Sequence, residues 1–153
     1  MVDEVTKRLV RGAIIASLYV TITFVVAPVG FGHIQFRASE ALTVLPIIFP
    51  ESIVALYIGV MLANFLGGLG PVDIFGGSLI TLMAAYLTYR TRDSWLAYVW
   101  PVLLNGFLVS IYLAPMLGLP YWLCVLTLSI SEAVVVVGLG YPLISWLTTR
   151  GIT

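Results

Sequence analysis

The sequence predicts an all-α membrane protein, a six-helix transmembrane bundle whose second helix is short. Three observations carry this. Hydrophobic residues make up 61 % of the 153-residue chain and charged residues only 9 %, whereas a soluble domain is about half apolar and about a quarter charged. The charges leave long charge-free runs at 12–36, 52–72, 74–89, 94–131 and 133–149. Proline and glycine then cut those runs into helix-sized pieces. Too few charges remain to cover a water-facing surface, and disorder needs the opposite composition. Barrel strands alternate apolar and polar residues, which these runs do not. Seven basic and seven acidic residues cancel, so bulk charge gives no nucleic-acid footprint. One cysteine, Cys124, and one histidine, His33, allow neither an internal disulfide nor an ordinary zinc cluster.

Taken in order, span one is expected at about 9–28, after Lys7, Arg8 and Arg11 and before the breakers Pro28, Gly30 and Gly32. Gly12 and Ala16, and Ala13 and Ser17, stand four apart, a spacing that lets helix backbones approach closely. Such a stripe serves either packing within the bundle or docking of another helix. Span two, 38–49, has twelve residues. At about 1.5 Å each they reach about 18 Å, short of the roughly 30 Å hydrocarbon core. A short, buried or re-entrant helix is tolerated where protein covers its ends. Pro50 separates it from span three, 51–66, whose Gly59, Ala63 and Gly67 suit internal packing. Gly67, Gly68, Gly70 and Pro71 precede span four, 71–90. Span five, 95–115, and span six, 121–148, flank the turn signal Pro115 to Pro120. All six form one transmembrane domain over 1–153.

Six spans place Lys7, Arg8, Arg11, Arg90, Arg92 and Arg150 on one side, leaving Arg37 as the cation on the other. The positive-inside rule makes the six-cation side, with both termini, cytoplasmic. Tyr86, Tyr89, Trp95, Tyr98 and Trp146 suit the inner interface, and Tyr112, Tyr121 and Trp122 the outer one. Asp3 and Glu4 in the leading segment argue against a cleaved signal peptide.

A charge in hydrocarbon costs at least a few kcal/mol and needs a partner or a wet cavity. Glu51 and Asp73 sit at helix starts, where the dipole favours an acid. Glu132 lies about eleven residues into span six, roughly 16 Å deep at helical rise, and Asn105 reaches a similar depth in span five. They either hydrogen-bond to fix packing or face one cavity. The segment 31–40 crowds His33, Gln35, Arg37, Ser39 and Glu40 together beside the short span. It reads as a solvated loop, with His33 a loop histidine, or as the rim of a binding cavity. No phosphate loop, Ser-x-Gly elbow, H-E-x-x-H or CxxC is present, so catalysis lacks a nucleophile–base pair.

The stretches Gln35-Phe-Arg37-Ala-Ser39-Glu40-Ala-Leu-Thr-Val-Leu-Pro46 and Ala63-Asn64-Phe-Leu-Gly67-Gly68-Leu-Gly70-Pro71-Val-Asp73-Ile-Phe-Gly76-Gly77 resemble the QueT family of substrate-binding S components of energy-coupling factor (ECF) transporters. The resemblance implies an S-component bundle in the plasma membrane. It binds a queuosine precursor of the 7-deazaguanine type from outside for ATP-driven uptake. It implies a membrane coupling subunit and two ATPase subunits as partners, and no cofactor of its own. Span one, around Gly12, Ala13, Ala16 and Ser17, would dock the coupling subunit, and the first outer loop would lid the ligand. Gln35, Arg37, Glu40, Asn64, Asp73, Asn105 and Glu132 are the candidate ligand contacts. Carboxylates accept from the ring N–H and exocyclic amine, while Arg, Asn or Gln donates to the carbonyl. Phe31, Phe36 or Tyr112 could stack on the ring. Glu132 is the expected reader of the two hydrogens. The inventory also suits another flat vitamin, or a stand-alone ion- or proton-coupled carrier.

Overall fold

A computed structural model describes residues 3–26 and 37–152. Within them the chain is helical, with no strand. Helix α1 spans Glu4–Val25, α2 Ala38–Ile47, α3 Ser52–Leu66, α4 Val72–Arg90, α5 Leu96–Leu117 and α6 Tyr121–Thr149. Four of these, α1, α4, α5 and α6, are long and apolar enough to cross a bilayer. Large apolar side chains such as Leu9, Phe65, Phe75, Ile111, Trp122 and Val134 point outward. Ser39, Thr43, Ser52, Asn64, Thr81, Ser110 and Glu132 are buried. Polar groups inside and apolar groups outside is the distribution a lipid solvent selects.

The direction of each helix follows from its contacts. Arg11 Nη1 donates to Glu51 Oε1 at 3.0 Å, and a Cβ on Gly12 would lie 3.8 Å from that of Ala55. Farther along, a Cβ on Gly59 would meet Tyr19 Cβ at 3.1 Å and Ala16 O at 3.2 Å. Rising numbers match rising numbers, so α1 and α3 run parallel. The next helices alternate. Thr88 Oγ1 donates to Ala97 O and the Tyr112 hydroxyl to Asp73 Oδ1, so rising numbers in α4 meet falling numbers in α5 and the two run antiparallel. Phe107 meets the Trp122 ring edge-on, and Asn105 meets Glu132, so α6 returns against α5. The starts of α1 and α3 and the end of α6 therefore share one end of the bundle. The chain comes back along α2, since Ser39 meets Thr23 near the end of α1 and Phe49 meets Arg11 near its start.

That return is made by an unusual helix. Its ten residues follow a 3₁₀ path with Pro46 inside, and about 2.0 Å of rise per residue gives a length of about 20 Å. Every residue from Ser39 to Pro46 is buried, and α2 touches all five other helices. A helix too short for lipid is tolerated because protein surrounds it.

Three wide π turns interrupt the longer helices: Val72–Gly77, Asn105–Val109 and Val136–Gly140. Such turns often sit at functional positions. The first holds Asp73, the second starts at Asn105, and the third puts Gly140 against α2. A Cβ on Gly140 would lie 3.0 Å from Val44 Cγ2 and 3.2 Å from Ala41 O. The turn between α5 and α6 begins at Gly118, whose φ of 65° is left-handed, with Leu119 N–H returning to Ala114 O.

Candidate functional site

Arg37, Glu40, Asn64, Asp73, Asn105 and Glu132, expected as ligand contacts, line a single cavity. It lies in the half of the bundle away from the start of α1. Gln35 and the loop expected to act as a lid, up to residue 36, fall outside the described residues. The cavity is closed down to about 40 Å³, space for roughly three water molecules. Ligand pockets usually measure about 300–1,000 Å³. A planar heterocycle therefore enters only if the walls move apart.

Two hydrogen-bond systems bound the cavity. On one wall Arg37 Nη1 donates to Asn64 Oδ1 at 3.4 Å. Asn64 Nδ2 donates to the Asp73 carbonyl at 2.8 Å, and the Tyr112 hydroxyl to Asp73 Oδ1 at 3.0 Å. Gly77 makes this corner possible, because a Cβ there would press on the Tyr112 hydroxyl at 3.2 Å and on Asn64 Nδ2 at 3.3 Å. On the other wall the Tyr19 hydroxyl donates to Glu40 Oε1 at 2.5 Å. Thr23 Oγ1 bonds Ser39 Oγ at 2.8 Å, tying α1 to α2. Deeper in, Asn105 Nδ2 donates to Glu132 Oε1 at 2.7 Å. The expected Glu132–Asn105 contact is thus present, and both residues also face the cavity.

Two buried polar side-chain atoms among the described residues have no partner: Arg37 Nε and Glu40 Oε2, both shielded from solvent. Arg37 and Glu40 form no ion pair; those among the described residues are Lys7–Glu4 and Arg11–Glu51. Three acids and one cation face each other here, a balance that a cationic or hydrogen-bond-donating guest would improve.

Sequence reasoning missed Tyr19, which is 1 % exposed and grips Glu40. Its one signal is Thr23 four residues on, which places two polar groups on one face of an apolar helix. Tyr112, read from sequence both as an outer-interface aromatic and as a ring that could stack on the ligand, turns inward to Asp73 and lines the cavity. Glu51 is the helix-start acid foreseen, and it also holds Arg11, whose guanidinium lies 4.3 Å above the Phe49 ring.

The small stripe of α1 divides. Gly12 and Ala16 face α3. Ala13 and Ser17 are exposed along an outward groove with Val10, Ile14, Leu18 and Thr21. Ser17 Oγ donates back to Ala13 O at 2.8 Å, so its hydroxyl is hidden from lipid.

An apolar shell around an interior of acids, amides and hydroxyls defines a polytopic integral membrane protein. A model of the QueT transporter family matches residues 9–149. The chain belongs to that family. A curated relative, the queuosine precursor transporter QueT of Lactococcus lactis subsp. cremoris (strain MG1363), is 39 % identical over 80 residues. That match covers 51 % of this chain and 47 % of the relative, about half of each. No solved structure matches the chain.

Proposed function

We propose that the protein is the substrate-binding S component of an ECF-type importer in the plasma membrane. It takes a queuosine precursor of the 7-deazaguanine type from the outer side. A coupling membrane subunit and two ATPase subunits drive the uptake, and the chain itself hydrolyses nothing. The observation carrying this reading is the cavity, where amide donors, one guanidinium and three carboxylates converge from α2, α3, α4, α5 and α6. A deazaguanine presents a carbonyl, a ring N–H and an exocyclic amine on one edge, and that set complements these groups. An aminomethyl substituent would add a cation among the acids. The family match and the name of the Lactococcus relative support the choice of ligand class. The six cations grouped at 7–11, 90–92 and 150 support a cytoplasmic placement of the end that carries them.

Titration of the purified chain with 7-aminomethyl-7-deazaguanine and 7-cyano-7-deazaguanine tests binding. Reconstitution in vesicles with and without the coupling and ATPase subunits tests the mode of transport. Tight binding with uptake only in the full complex is the expected result. Uptake by the chain alone under an ion gradient would instead make it a stand-alone carrier.

A further inference from the structure

We propose that Tyr19 is a positioning residue. It holds one oxygen of Glu40 so that the other accepts the N–H of a lactam-type heterocycle, while Arg37 Nε donates to the neighbouring carbonyl oxygen. This rests on the reading that the cavity binds a planar heterocycle. It goes further in naming the edge that is read and the residue that arranges the reader.

Each of the three acids has one oxygen engaged, and the choice among them follows from the burial of the other. Glu132 gives Oε1 to the Asn105 amide, and Asp73 gives Oδ1 to the Tyr112 hydroxyl. Glu40 gives Oε1 to Tyr19, and its Oε2 stays buried and unpartnered although the residue is only 4 % exposed. A buried acceptor left open is costly and is rarely retained without use. The other open atom in the same cavity is a donor, Arg37 Nε.

Arg37 immediately precedes α2 and Glu40 lies in its first turn. The Glu40 N–H bonds the Arg37 carbonyl at 3.0 Å. One turn of chain thus carries an open donor and an open acceptor on two residues that line the same cavity. A cyclic amide carries the inverse pair, a carbonyl oxygen next to an N–H. Tyr19 sets the orientation from α1. Without its hydroxyl, Glu40 Oε1 loses its partner, the carboxylate can rotate, and the presented oxygen is no longer fixed. Tyr19 itself does not line the cavity, so it acts through Glu40.

The test uses purified full-length chain in lipid nanodiscs and isothermal titration. The probes are the two deazaguanines above, guanine, hypoxanthine, and each ring methylated at the lactam nitrogen. Wild-type protein should prefer the N–H forms over the N-methyl forms by at least about tenfold, equivalent to about 1.4 kcal/mol. Tyr19→Phe and Glu40→Gln should each weaken lactam binding about tenfold and narrow that preference. A residue that merely supports the fold would lower affinity for both forms alike and leave the ratio unchanged. An unchanged affinity or ratio in folded Tyr19→Phe overturns the assignment. So does wild-type protein that binds both forms equally, a result that needs no variant. If wild-type protein reads the N–H on guanine or hypoxanthine but binds neither deazaguanine, the inference stands and the queuosine-precursor reading falls. If no lactam binds, both fall.

Discussion

Glu132 shows how a buried acid is accommodated when no cation bonds it directly. Its partner is a neutral amide, Asn105, at 2.7 Å. A hydrogen bond to a charged group contributes about 1.5–3 kcal/mol in water-soluble proteins, but side-chain bonds within membranes average nearer about 0.6 kcal/mol. Asn105→Leu keeps the size and removes the donor. It should lower unfolding stability in mixed micelles by about 1–2 kcal/mol, because the acid is stranded. The double variant Asn105→Leu/Glu132→Leu should recover most of that loss, since removing both partners of a buried pair is cheap. Equal instability of single and double variants would refute this account. Glu132→Gln should stay folded, because the amide oxygen still accepts from Asn105.

The residues that sequence left ambiguous were aromatics and acids whose role depends on orientation. Tyr19 and Tyr112 look from sequence like ordinary membrane aromatics, which are common at interfaces. A one-letter string carries no information on which way a ring turns. Among the polar residues that line the cavity, Asn105 and Glu132 were legible because an amide or acid in an apolar run needs an explanation, and Arg37 and Glu40 because they crowd a polar segment beside the short span, whereas Asn64 entered with the family resemblance.

At the scale of elements, the long helices were readable because charge and proline mark their ends. The 3₁₀ path of α2 and the three π turns were not. Periodicity distinguishes helix types only where one face is polar, and these segments are apolar nearly all round. The α1 stripe could be read but not divided, because spacing alone does not say which small residues face inward. The contacts now make the docking test cleaner. Ala13→Leu adds bulk on the exposed face, and it should leave ligand binding intact while abolishing uptake by the full complex. Full uptake by correctly inserted Ala13→Leu would show that this face docks nothing. Gly59→Leu adds bulk where a Cβ already sits 3.1 Å from Tyr19. It should part α1 from α3, lower the melting temperature, and weaken binding through the displaced Tyr19.

For the whole molecule, the alternation of helix directions makes a topological prediction. Residues 91 and 150 belong to one end of the bundle, and Leu119 to the other. In a Cys124→Ala background, Thr91→Cys should react with a membrane-impermeant maleimide only from the cytoplasmic side. Leu119→Cys should react only from outside. Labelling of both from the same side would break the antiparallel pairing of α4, α5 and α6.

The enclosure of α2 also bears on how the chain is made. A segment of ten residues, wound as a 3₁₀ helix around Pro46, is too short to be released into lipid by itself. It makes contact with α4, α5 and α6, none of which has left the ribosome when α2 does. During translation α2 has no stable place in the bilayer. It must wait, sheltered by the insertion machinery or lying at the interface, until its later neighbours arrive. The order of synthesis is therefore not the order of assembly: the surroundings of the second segment made are complete only with the sixth.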